Sequence, residues 1–226
     1  MKQWTAFGAG SALALLLGTT AVQADVTAEQ VWQGWVDYYT ASGQVVTSAS
    51  SAMEGDTLVV KDAVIASKPN DEGSVELKLS EVRLRETGDG KVEVTVPAEM
   101  PAHLKGKDPE GKEVETTVLL GQNGLLIVAS GAPEDITYDV NAATMAVSLQ
   151  SAVVEGQELP TVEMKLNDVT GKSHLVRTSG FALDSTFGAA SADLTVSAKS
   201  LEEGKVGSFD MTGSIQKLAG SSKAQT

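Results

Sequence analysis

Residues 74–82 read SVELKLSEV, and residues 161–169 read TVEMKLNDV. Val75, Leu77 and Leu79 alternate with Glu76, Lys78 and Ser80, while Val162, Met164 and Leu166 alternate with Glu163, Lys165 and Asn167. Successive side chains of a strand point to opposite faces, so strict alternation marks a strand with one apolar and one wet face. Five of the nine positions are identical and the other four are conservative pairs. Both segments lose phase at the same place, where Ser80-Glu81 and Asn167-Asp168 put two polar residues before the next Val. Such a pair predicts a bulge or a sheet corner. A weaker echo, SFDMTGSI, begins at Ser208. Repeated units of this kind predict a sheet that grows by adding similar β units.

The same rhythm spreads outward from these two segments. It continues through Val92, Val94 and Val96; Val114, Thr116, Val118 and Leu120; Ile136, Tyr138 and Val140; and Met145, Val147 and Leu149. Turn chemistry separates the runs at Asn70-Asp71-Glu72-Gly73, Gly88-Asp89-Gly90, Asp108-Pro109-Glu110-Gly111, Asn123-Gly124 and Glu203-Gly204. Half-wet strands joined by short turns predict a mainly β fold, an antiparallel meander over residues 44–218. An open sheet must hide its apolar face, so the sheet is expected to be curled or twisted. Residues 219–226 (AGSSKAQT, from Ala219) carry no periodicity and read as a disordered tail.

One stretch has the other period. Over residues 28–41, Ala28, Val31, Trp32, Trp35, Tyr38 and Tyr39 share one stripe of a helix, opposite Glu29, Gln30, Gln33, Asp37 and Thr40. Thr27 and Gln30 have capping-box spacing, and Gly43 stands where a left-handed C-terminal cap belongs. Half of the aromatic residues after position 24 lie on this stripe. It must be covered, either by the sheet or by a partner. Residues 25–43 are therefore expected to form an N-terminal aromatic helix packed on the β domain.

Residues 1–24 carry Lys2, an uncharged apolar stretch over 5–22, and Val22-Gln23-Ala24. That pattern predicts a signal peptide cleaved near Ala24, and a periplasmic or secreted protein. The apolar core is too short for a bilayer span of ~20 residues, and no transmembrane segment is expected in the mature chain. Cleavage discards only Lys2, leaving 16 basic against 30 acidic residues and a net charge of −14. An acidic surface repels phosphate backbones, which argues against a nucleic-acid partner. The chain has no cysteine, so disulfides, thiolate metal sites and Cys nucleophiles are excluded.

The remaining chemistry is thin. His103 and His174 lack any short metal-ligand spacing, and a catalytic zinc usually needs three protein ligands. Ser173 adjoins His174, but neighbours on a strand face opposite ways. Asp71-Glu72, Asp108 with Glu110, and Glu202-Glu203 sit in turns, where acids mostly serve solvation. No nucleophile elbow or phosphate loop occurs. These residues predict a non-enzymatic protein with no metal and no cofactor.

Five segments taken in order resemble a known family: DVTAEQVWQGWVDYY (25–39), GDTLVVKD (55–62), ETGDGKVEVTVP (86–97), ASGAPEDITYD (129–139) and GSFDMTGSI (207–215). They are similar to the exported bacterial proteins grouped as the domain-of-unknown-function family numbered 2125. The resemblance implies a periplasmic or secreted, β-rich protein and no assigned activity. Members of that family are longer, so the chain reads as a short member or as a fragment ending inside a continuing sheet.

Two functions suit this architecture. A concave β surface could bind a lipid or another apolar envelope ligand, lined by Leu77, Leu79, Val94, Val118, Val147 and Met164 and gated by Trp32, Trp35, Tyr38 and Tyr39. Alternatively, the strand edges or the aromatic helix could pair with an envelope protein, as a structural or interaction module.

Overall fold

The computed structural model describes residues 25–68, 73–107, 111–151, 153–154, 157–158, 160–202 and 205–225. The expected signal peptide lies outside these residues, as do the turn centres at 70–72, 108–110 and 203–204.

Among the described residues the fold is mainly β, with one helix. Helix α1 (Ala28–Ala41) has the expected bounds. The Thr27 side chain accepts from the Gln30 backbone N–H, and the Gln30 side chain accepts from the Thr27 backbone N–H. Gly43 takes φ 84°, the left-handed conformation that lets a chain leave a helix.

Strands β1 (Gln44–Thr47), β2 (Ser50–Glu54), β3 (Thr57–Ser67), β4 (Gly73–Glu86), β5 (Val92–Thr95), β6 (Glu99–Lys107), β7 (Glu113–Asn123), β8 (Leu126–Ala132) and β9 (Asp135–Ser151) make the first part of one antiparallel sheet. The short strands β10 (Val153–Val154) and β11 (Gln157–Glu158) pair with each other. Strands β12 (Thr161–Arg177), β13 (Phe181–Glu202) and β14 (Lys205–Gln225) complete the sheet.

The register reveals a simpler plan. β1 and β2 both pair with β3. β5 and β6 both pair with the same edge of β4. β7 and β8 both pair with the same edge of β9. Each of these couples is one long run interrupted near its middle. The sheet is thus a meander of long runs in chain order.

The interruptions line up across the sheet. Pairing skips Ser48-Ala49 against β3, Asp62 against Ser80, Val96–Ala98 between β5 and β6, and Gly124-Leu125 between β7 and β8. It skips again at Ala143 against Asp168, and at Ala190 against Lys217. Asp62, Asp168 and Lys217 hold φ of 51°, 49° and 59°, the only non-glycine residues described with positive φ. One unpaired residue in each strand flips the alternation, so apolar residues stay on one face only if their spacing steps from two to three. That step occurs at Leu79→Val82, Ala142→Met145, Leu166→Val169, Ala189→Ala192 and Ile215→Leu218. Ala142, Val169 and Ala189 pack there with Met145, Leu166 and Leu218, which places both sides of the break on the same face.

The corner expected from Ser80-Glu81 and Asn167-Asp168 therefore exists in both repeats. In β14 the break falls at Lys217, two residues later than an echo starting at Ser208 implies. Two expectations are corrected. Asn123-Gly124 is not a hairpin turn: Gly124, at φ 66°, supplies the left-handed residue of a bend within one run. Residues 219–225 are not a disordered tail: Ala219 to Gln225 pair in register with Gly188 to Ala182. Backbone pairing, rather than side-chain pattern, orders that segment.

The core lies between α1 and the sheet. Val26, Ala28 and Val31 of the N-terminal segment pack with Leu58, Val60, Val82, Leu84, Val92, Val94 and Ile136. Val46 on β1 and Leu183 on β13 border one cavity beneath α1. In a flat sheet these strands would stand about 34 Å apart, seven spacings of ~4.8 Å. The helix is only ~21 Å long at 1.5 Å per residue. The sheet therefore curls around the helix.

Candidate functional site

The cavity beneath α1 has a volume of about 390 Å³, within the ~300–1,000 Å³ usual for small-molecule sites. Its roof is the aromatic stripe Trp32, Trp35, Tyr38 and Tyr39. Its floor includes Leu77, Leu79, Met100, Leu120, Ile127 and Leu175. No charged side chain is among its lining residues.

The roof is held by aromatic packing and by one ion pair. Trp35 lies against Trp32 with ring centroids 6.4 Å apart, and against Tyr138 at 6.2 Å. Tyr38 meets the edge of Phe181 at 5.9 Å. Gly34 faces Ile136 and Arg177, and its lack of a side chain lets the helix sit close to the sheet. Arg177 pairs with Asp37 at 3.0 Å and lies 5.3 Å from the Phe181 ring centroid. All four aromatic residues of the stripe are half-buried, so the sheet covers one side of the helix and leaves the other side wet.

Burial governs the titration of the tyrosines here. Tyr39 is raised above the ordinary range by burial, helped by the neighbouring Tyr38. Burial pushes Tyr138 up to about 12, against smaller opposing effects of the Trp35 indole and Arg177. The Tyr138 hydroxyl is buried with no acceptor for its proton, since the Trp35 indole can only donate to it.

The structure divides the residues expected to line a groove. Leu77 and Leu79 line the cavity. Val94 shares their face but is sealed in the core at 0% exposure, so it is unavailable to a ligand. Val118, Val147 and Met164 also share that face, as the register shows: Leu77↔Ala102↔Val118, and Leu120↔Val147↔Met164↔Leu194. They lie outside the cavity, and Val147 and Met164 are 39% and 42% exposed. With Leu194, Met211 and Ile215 they form an uncovered apolar stripe beginning at the cavity wall. Exposed apolar surface arranged so contiguously marks a contact site in most soluble proteins. Sequence reasoning missed Met100, Ile127, Tyr138 and Leu175 as lining residues. All four obey the alternation, but the three-residue steps hide which face each run shares.

The outer face is polar. Lys105–Glu115 at 2.6 Å, Lys78–Glu76 at 3.1 Å and Lys172–Asp139 at 3.2 Å are exposed ion pairs that contribute little stability. His103 Nδ1 lies 3.1 Å from Thr117 Oγ1, and His174 meets Asp135. A hollow beside His174, Asp184 and Lys223 and another beside Glu76, His103 and Glu113 are lined by solvated polar groups. Ser173 faces the cavity while its neighbour His174 faces outward, as strand geometry requires. Among the described residues, no three His, Cys, Asp or Glu side chains form a cluster able to hold a metal. Among them, too, no helix is long and apolar enough to cross a membrane.

Comparison of the chain with family models, with curated proteins and with solved structures finds no match to any of them. The reading of the site therefore rests on its own geometry.

Proposed function

We propose that this chain is an exported, non-enzymatic protein of the bacterial envelope, related to family 2125, that binds a lipid or another apolar ligand. The apolar cavity roofed by Trp32, Trp35, Tyr38 and Tyr39 carries this reading. Apolar lining that faces water is unfavourable, and a bound apolar ligand would cover it. The uncovered stripe through Val147, Met164 and Leu194 extends the apolar surface beyond the cavity, which suits a ligand longer than the cavity. Native mass spectrometry of protein purified from its host tests the proposal. A lipid-sized adduct that dissociates on activation supports it, and bare protein at every charge state overturns it.

A second reading keeps the stripe but changes its occupant. β14 pairs only with β13 among the described strands, so its outer edge is an open template for another strand. In that reading the protein is a structural or interaction module that pairs with an envelope protein through this edge. Stoichiometric capture of a single partner by lipid-free protein favours it.

A further inference from the structure

The cavity beneath α1 is lined by one fully buried hydroxyl whose proton has no acceptor. Tyr138 is 6% exposed and lines the cavity, and its buried hydroxyl has no acceptor for its proton: the Trp35 indole beside it can only donate. Buried hydroxyls are almost always paired, so a hydroxyl proton without an acceptor on the wall of an apolar cavity suits a ligand that brings one. The other buried donor without an acceptor, Arg177 Nε, belongs to a side chain held by Asp37 and Phe181, outside the cavity lining.

The surroundings narrow what that acceptor can be. Tyr138, Ser173, Ser185 and Ser222 are cross-strand partners, a row of hydroxyls crossing an otherwise apolar face. The row on one side is Ile136, Leu175, Leu183 and Ala224. Ser173 and Ser185 are hydrogen-bonded through their Oγ atoms at 2.9 Å. The cavity thus offers hydroxyl donors and no cation. The nearest cation, Arg177, lies outside the lining and is already paired with Asp37, so an ionised group placed there would lack a free counter-charge, which is far more unfavourable than burying a neutral carbonyl. The net charge of −13 further disfavours an anionic head near the site.

We propose that the occupant is an ester- or amide-linked acyl lipid whose carbonyl oxygen accepts a hydrogen bond from the Tyr138 hydroxyl. Its hydrocarbon chain fills the space between α1 and the sheet, and any charged headgroup stays in water at the open mouth. Burial keeps Tyr138 protonated through the physiological range, so it remains a donor. This inference rests on the apolar-ligand reading above and adds the linkage chemistry.

Two lysophosphatidylcholines of equal chain length test it, one with an ester-linked acyl chain and one with an ether-linked alkyl chain. They differ only in the carbonyl. Binding is read from the fluorescence of Trp32 and Trp35, which border the cavity. The wild type is expected to bind the acyl probe about five- to tenfold more tightly, the effect of one neutral hydrogen bond. Tyr138→Phe is expected to abolish that preference, so that it binds the two probes with equal affinity. Equal affinity of the wild type for both probes, or a preference that survives in Tyr138→Phe, overturns the Tyr138 anchor but not the apolar site. Failure of both probes to bind the wild type overturns both. If circular dichroism finds Tyr138→Phe unfolded, the wild-type ratio alone decides.

Discussion

The Glu86 carboxylate accepts a hydrogen bond from the Ala28 backbone N–H at 2.9 Å, across 58 residues of sequence. The first N–H groups of a helix have no partner within it, and its positive end favours an acid. Glu86 answers both needs from β4. Towards the other end, Asp37 of the helix pairs with Arg177 of β12. The helix is therefore fastened to two strands on opposite sides of the curl, and the cavity lies between the fastenings.

Removing one fastening tests this. Glu86→Ala is expected to lower unfolding stability by about 1–2 kcal/mol, since it leaves a helix N–H unpaired and removes a favourable charge. Glu86→Gln retains an acceptor and should lose roughly half as much. Urea midpoints of the three proteins check the order.

Trp35 roofs the cavity and packs on Tyr138. Truncating a fully buried aromatic costs about 3–5 kcal/mol. Trp35 is half-buried, so Trp35→Ala is expected to cost about 2–4 kcal/mol. Thermal melts followed by circular dichroism measure it, and an unchanged melting temperature contradicts the packing of α1 on the sheet.

Alkaline stability follows from Tyr138. Its folded value is raised from 10.0 to about 12, so the folded state holds the proton more tightly than the unfolded chain. The resulting stability is fully present below pH 10 and is lost as pH rises from there towards 12. The loss amounts to about 2–3 kcal/mol, two pKa units at ~1.4 kcal/mol each. Tyr138→Phe should remove this pH dependence and leave the smaller contribution of Tyr39. Unfolding midpoints measured from pH 8 upward test the sign.

Asp168 sits in the left-handed region at φ 49° within β12. Glycine adopts that conformation freely and a β-branched residue resists it. Asp168→Gly is therefore expected to be neutral or stabilising by up to about 1 kcal/mol, whereas Asp168→Val should destabilise by about 1–2 kcal/mol. Calorimetric melts of both variants separate conformation from lost side-chain contacts.

How much of this was legible depends on how local the signal is. The ends of α1 were readable because Thr27, Gln30 and Gly43 act on their own turn of backbone. The breaks at Ser80-Glu81 and Asn167-Asp168 were readable because bulky Leu and Val flank them. The equivalent breaks at Ala142→Met145 and Ala189→Ala192 are flanked by alanine on one side or both, which leaves little periodic contrast. Asn123-Gly124 misled because a bend within a strand and a hairpin turn both need a left-handed residue. Residues 219–225 looked unstructured because their order comes from pairing with residues 182–188, which no local pattern reports. Tyr138 read as an ordinary inward strand residue. Its hydroxyl's lack of an acceptor depends on what other strands and the helix bring near it, which is a property of the fold.

Because every run of the sheet carries its own crease, the trough is modular in cross-section. A further hairpin added beyond β14 with the same three-residue step would lengthen the trough and leave its profile unchanged. The length and the width of the trough would then be set by separate features of the sequence, the number of runs and the residues at each crease.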